Sequence, residues 1–153
     1  MLKQNKITVD LFLIDDKGVL GYLRKAFELR RFLNNEDFDL IHAHSGLSGL
    51  LVAISTSRNF VITFHGSDIN NSFERILSSI ASLRSLLNIY VSEKLLSKAI
   101  FKRKATVIPC GINFNLFSPM PKSKAREKLK LDIDKNIILF SSRFDNVVKN
   151  YKL

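Results

Sequence analysis

A chain of 153 residues makes one domain of ordinary size and is marginal for two, and 46% hydrophobic with 25% charged residues is a globular balance that excludes a disordered polymer. No run of eighteen or more uncharged apolar residues occurs and Met1–Lys6 lacks the apolar stretch of a signal peptide. A cytoplasmic location is therefore expected, and peripheral contact at the inner face of a membrane is compatible with it. The net charge of +10 lies in residues 71–153, which hold sixteen Lys/Arg against six Asp/Glu, whereas residues 1–70 hold eight of each. Such an excess fits an anionic partner and fits a solvated lysine-rich face equally well.

In chain order, Lys6–Ile14 is an apolar, β-branched run closed by the turn residues Asp15-Asp16-Lys17-Gly18 and is expected to be a strand. Gly21–Asn34 carries Leu23, Phe27, Phe32 and Leu33 at helical spacing, with Leu20 just ahead and Arg24, Lys25, Glu28, Arg30 and Arg31 on the other faces, which predicts an amphipathic helix. Asp39–His44 predicts a short strand entering Ser45-Gly46, and Leu47–Ser57 a small-residue helix of the kind that packs closely on a sheet. Phe60–Phe64 is the strongest strand signal, ending abruptly in His65-Gly66-Ser67-Asp68.

Asn70-Asn71-Ser72 can cap a helix through Phe73, Ile76, Leu77, Ile80 and Leu83. A strand at Asn88–Val91 follows, then a helix opened by Ser92 and running to about Lys102. Ala105–Ile108 is a strand broken by Pro109-Cys110-Gly111, where Gly111 can take φ > 0. After a loop at 113–121 come a basic helix at Ser123–Leu131 and a last strand at Asn136–Phe140. Strands alternating with helices imply βαβ units and a parallel sheet. The first strand has no glycine-rich loop before it and the last has no helix to cover it, so an incomplete chain and a partner segment are expected.

The three histidines, His42, His44 and His65, fall at strand ends. His42 and His44 are two apart and share a strand face. With His65 and Asp68 they could serve a small metal-dependent hydrolase, although no His-Glu-x-x-His or Cys-x-x-Cys accompanies them. His65 ahead of Gly66 and Ser67 equally suits phosphate or sugar hydroxyls, or a purely local strand cap. Arg143 and Lys149 follow a strand end and could converge on a diphosphate or be solvated surface. Cys110, the single cysteine, reads as structural. The lysine clusters at 98–104 and 122–130 lack an aromatic stacking pattern or a helix-turn-helix signal, so no nucleic-acid partner is expected.

Several phrases taken together are more specific. Asp39-Leu-Ile-His-Ala-His44, Val61-Ile-Thr-Phe-His-Gly-Ser-Asp68, Tyr90-Val-Ser-Glu93, Val107-Ile-Pro-Cys-Gly-Ile-Asn113 with Phe117-Ser-Pro119, and Ile138-Leu-Phe-Ser-Ser-Arg-Phe-Asp-Asn with Lys149-Asn-Tyr151 resemble, in order and spacing, glycosyltransferase family 4. The resemblance covers nearly the whole chain. It implies a GT-B fold, with residues 1–118 as the acceptor-side, Rossmann-like N-terminal domain lacking its first strand. Residues 119–153 would be the linker and first strand of the donor-side domain.

The resemblance further implies a retaining transfer of sugar from a nucleotide sugar to a glycan or lipid-linked acceptor, without a metal or other cofactor. His65 would sit in the transfer cleft, His44, Ser45 and Gly46 would border the acceptor, and Gly66, Arg143 and Lys149 would meet the donor diphosphate. The linker phrase has Asn113 where the family more often has Asp, and Val147 follows Asn146 where a proline is expected. The family's Glu-x7-Glu segment does not occur, so the chain is expected to be inactive alone, with a separately encoded C-terminal half as a partner. A non-catalytic docking or membrane-surface module is the alternative to the enzyme.

Overall fold

The structure, a computed structural model, describes residues 7–16 and 18–140. The chain divides into two compact units, Met1–Gly111 and Ile112–Leu153. In the first, β1 (Ile41–His44), β2 (Phe60–Phe64), β3 (Leu87–Tyr90) and β4 (Ala105–Val107) form a parallel sheet in the order β1-β2-β3-β4. Helices α1 (Gly18–Asn35), α2 (Gly46–Ser55), α3 (Ser67–Asn70), α4 (Ser72–Arg84) and α5 (Glu93–Ser97) lie before and between the strands. This is the Rossmann-like α/β arrangement expected from the alternation of elements.

The register fixes which side chains share a face. His42 pairs with Val61 and His44 with Thr63, so these four point one way, and Ile41, Ala43, Phe60, Ile62 and Phe64 point the other. β2 is buried along its whole length, as a central parallel strand must be, and Phe64 stacks on Tyr90 of β3 at 4.7 Å. The core gathers Leu29, Leu33, Leu51, Val52, Ile62, Phe64 and Tyr90.

Close packing of α2 against α4 and the sheet depends on small residues. A Cβ on Gly46 would lie 2.2 Å from Ser78 Cβ, and one on Gly49 2.5 Å from Ile62 Cδ1. The Asn71 side chain caps α4 by accepting from the Phe73 and Glu74 N–H groups, and Ser92 caps α5 through Leu95 N–H. Buried Asn88 holds the end of α4 to β3: its Oδ1 accepts from Ser85 Oγ and its Nδ2 donates to Ser82 O.

Several expectations are corrected. Residues 7–16 form no strand; Phe12 packs on Phe32 at 5.7 Å, so side chains rather than a ladder hold the segment. A cavity of about 370 Å³, lined by Leu11, Leu13, Phe32, Ile41, Ala43 and others, separates this segment from the edge strand β1. In α1 the buried positions are Leu29 and Leu33, with Tyr22, Ala26 and Phe32 partly covered, whereas Leu20, Leu23 and Phe27 face solvent. The inward stripe is therefore 22-26-29-33, a spacing that the larger residues mask in the sequence. α5 stops at Ser97, well short of Lys102. Gly111 does not take positive φ, and Cys110 is an exposed free thiol rather than a packed one.

In the second unit, α6 (Lys122–Lys128) follows a loop in which the Phe117 N–H donates to Asn113 O and the Asn115 N–H to Asn113 Oδ1. Arg126 is buried, and its guanidinium donates to the carbonyls of Asp132, Ile133 and Lys135, closing the turn after the helix. Residues 136–140 form no strand among the described residues, and Ile138 is 97% exposed. Arg143 and Lys149 lie outside the described residues.

Candidate functional site

The histidines converge at the carboxyl end of β1 and β2, where open α/β sheets bind ligands. His42 and His44 leave β1 on one face and stack with ring centroids 4.3 Å apart, and His65, the first residue after β2, stacks on His44 at 5.5 Å. His44 Nδ1 lies 3.2 Å from His65 Nε2, and His42 Nε2 lies 2.8 Å from Thr63 Oγ1. His42 is thereby tied to the sheet and His44 pairs with His65, all three residues being exposed.

The backbone around the pair is built for this placement. Gly66 has φ 135, which favours glycine, and turns the chain out of β2 into α3. Ser45 reaches φ 130 without being glycine, a strained conformation beside His44. Its Oγ accepts from the Ser48 N–H and lies 3.0 Å from Ser48 Oγ, so Ser45 caps α2.

Asp68 clamps the two loops together. Its buried carboxylate accepts from Gly46 N–H at 3.0 Å through Oδ2 and from Gly66 N–H at 2.9 Å through Oδ1. One side chain thus fixes the exit of β1 to the exit of β2, and with it His44 to His65. In the sequence Asp68 reads as a metal ligand, and the signal for its clamping role is a carboxylate two residues after a turn glycine, a spacing suited to bonding local backbone. The same bonds occupy the N–H groups of Gly46 and Gly66. Gly46 is itself buried under Ser78, so it shapes the site from beneath.

Electrostatics favour the neutral forms of His42 and His44. Burial, aided by the neighbouring His44 and His65, holds His42 below the ordinary imidazole value of 6.5, and burial followed by the His65 charge does the same for His44. Beneath them the Tyr90 phenol is pushed up to about 12 by burial and then by the Asp68 carboxylate, so it stays protonated.

A hydrogen bond between two neutral imidazoles uses one N–H and one bare nitrogen. If His44 Nδ1 donates, His44 Nε2 is bare and His65 Nδ1 carries a proton; if His65 Nε2 donates, the roles reverse. In either arrangement the pair presents one donor and one acceptor, a match for neighbouring sugar hydroxyls. With Asp68 committed to backbone and His42 to Thr63, the ligand set of a metal-dependent hydrolase is not assembled. Among the described residues no group of three or more His, Cys, Asp or Glu side chains is placed to hold a metal. Among the same residues no helix is long and apolar enough to cross a membrane.

TuaC of Bacillus subtilis (strain 168), provisionally named a teichuronic acid biosynthesis glycosyltransferase, is 30% identical over 120 residues, covering 69% of this chain. The chain spans about 30% of that relative's length. The family model described as Glycosyltransferase Family 4 matches residues 4–116, a stretch that holds the whole sheet and all three histidines, and the chain belongs to that family.

Proposed function

We propose that the chain supplies the acceptor side of a retaining glycosyltransferase that moves sugar from a nucleotide sugar to a glycan or lipid-linked acceptor. The observation that carries this reading is the His44–His65 pair, clamped through Asp68 at the carboxyl edge of the sheet in a chain of this family. In this reading His65 faces the transfer cleft and His44 and Ser45 border the acceptor hydroxyls, with Gly46 beneath them. Gly66 lets the donor phosphates approach closely, and Arg143 and Lys149 neutralise them as charge develops on the leaving nucleotide. Residues 1–118 form the acceptor-side domain, and 119–153 the linker and the start of the donor side. The relative's name supports a cell-surface polysaccharide as the product class.

The described residues do not by themselves assemble a donor site, so acceptor binding is the property to measure first. Saturation-transfer NMR on the purified chain with a panel of methyl glycosides should show contact that His65→Ala and His44→Ala remove while the amide spectrum stays folded. Contact that survives both substitutions, or no contact with any glycoside, would overturn the assignment. The purified 153-residue chain should release no nucleotide from UDP-glucose or GDP-mannose, and release would contradict the division of labour between the two sides.

A further inference from the structure

Helix α4 is turned opposite to what its large residues suggest. The side facing the protein carries Ser78, Ser79, Ala81 and Ser82, all buried, because Gly46 of α2 comes too close to Ser78 for anything larger. Ser79 Oγ donates to Arg75 O and Ser82 Oγ to Ser79 O, so these two hydroxyls are satisfied within the helix, whereas the buried Ser78 Oγ has no partner among the described residues. The large apolar residues are left outside: Phe73 is 69% exposed, Ile76 56%, Ile80 53% and Leu83 43%. At 100° per residue they form a stripe about 80° wide and about 15 Å long.

The border of the stripe is cationic. At the carboxyl end of α4, Arg84 donates to Ala53 O and Thr56 O, and Lys104 Nζ donates to Ser85 O at 3.3 Å. That bond ties the Lys102-Arg103-Lys104 turn to the end of the helix, and Asn88 Nδ2 adds a second tie to Arg103 O. At the other end, Lys98 donates to Asn70 beside the α4 cap. Glu74 and Glu93 are the only acids between residues 69 and 126. A second copy docked here would set five cations against one acid of the helix, Glu74. An anionic bilayer offers an apolar layer at the depth of the stripe and phosphates at the level of its border.

The geometry points to α4 as a membrane-docking surface: Phe73, Ile76, Ile80 and Leu83 enter the headgroup–acyl boundary while Arg84, Lys98 and Lys102–Lys104 meet anionic headgroups. This does not rest on the sugar-transfer reading, since lipid binding is measured without any sugar donor. The test is co-sedimentation of the purified chain with vesicles of phosphatidylglycerol and phosphatidylcholine, against vesicles of phosphatidylcholine alone. Binding should require the anionic lipid. Ile76→Ser with Ile80→Ser should weaken it about tenfold or more. Lys102→Gln with Arg103→Gln should weaken it about fivefold per charge at low salt. Leu20→Ser, exposed on α1 and outside the α4 stripe, should leave it unchanged.

These positions lie at the surface, so melting curves matching the wild type confirm that the variants are folded. The docking proposal is overturned if wild type ignores anionic vesicles, or if the α4 variants sediment as well as wild type. It is also overturned if the stripe instead drives a concentration-dependent dimer that the Ile76/Ile80 variant abolishes.

Discussion

Gly46→Ala perturbs the packing on which the site rests. The added methyl would lie 1.8 Å from Ser78 Oγ, 2.2 Å from Ser78 Cβ and 3.1 Å from Phe64 Cε1. The hydroxyl could rotate, but the Cβ is rooted in α4 and cannot. Relief requires α4 to withdraw from 2.2 Å to at least 3.4 Å, or α2 to tilt and draw the Gly46 N–H away from Asp68. Overpacking of this kind costs about 1–3 kcal/mol, and a strained or broken bond to a buried carboxylate adds about 1–3 kcal/mol. Urea unfolding followed by circular dichroism should therefore show a midpoint well below wild type. Gly49→Ala should also destabilise, because the added methyl would lie 2.5 Å from Cδ1 and 2.9 Å from Cγ1 of Ile62, a fully buried side chain stiff at χ1. Gly111→Ala should be neutral, having open space and no positive φ. Wild-type stability in Gly46→Ala would refute the packing argument.

Asp68→Asn leaves one amide group facing two backbone donors and can accept from only one of them; a loss of about 1–3 kcal/mol in urea unfolding is expected, with amide exchange at Gly46 or Gly66 accelerated. The histidines predict a pH response. Because His42 and His44 sit below 6.5 in the folded chain, the unfolded chain binds protons first as pH falls; the stability they contribute is complete above 6.5 and lost as pH drops through their folded values. Urea midpoints at about pH 7.5 and about pH 5 should differ less in His42→Asn/His44→Gln than in wild type, and an unchanged difference would contradict the shifts.

The legible part of the fold was its central part. Phe60–Phe64 is apolar at every position, which only a strand buried on both faces tolerates, and its ends matched. The Asn71 and Ser92 caps were readable because a side-chain oxygen ahead of a helix has a specific partner. The edges were less legible. Ile7–Ile14 and Ile137–Phe140 have strand composition, but a strand exists only when another strand pairs with it, and pairing is not a local property. α4 shows the same limit for faces: Phe73, Ile76, Ile80 and Leu83 have the spacing of a core stripe, yet the approach of Gly46 selects the serine side. At the site, the shared face of His42 and His44 followed from strand alternation. The contact of His44 with His65 and the clamp by Asp68 required the register of two strands.

The central claim is that His44 and His65 act together on sugar hydroxyls. The chain has only three histidines, so long-range 1H–15N spectra of histidine-labelled protein resolve every imidazole nitrogen. Titration with methyl glycosides should shift the nitrogens of His44 and His65 together, one toward the donor and one toward the acceptor form, with His42 held by Thr63 and unmoved. Shifts confined to His42, or none with any glycoside, would contradict it.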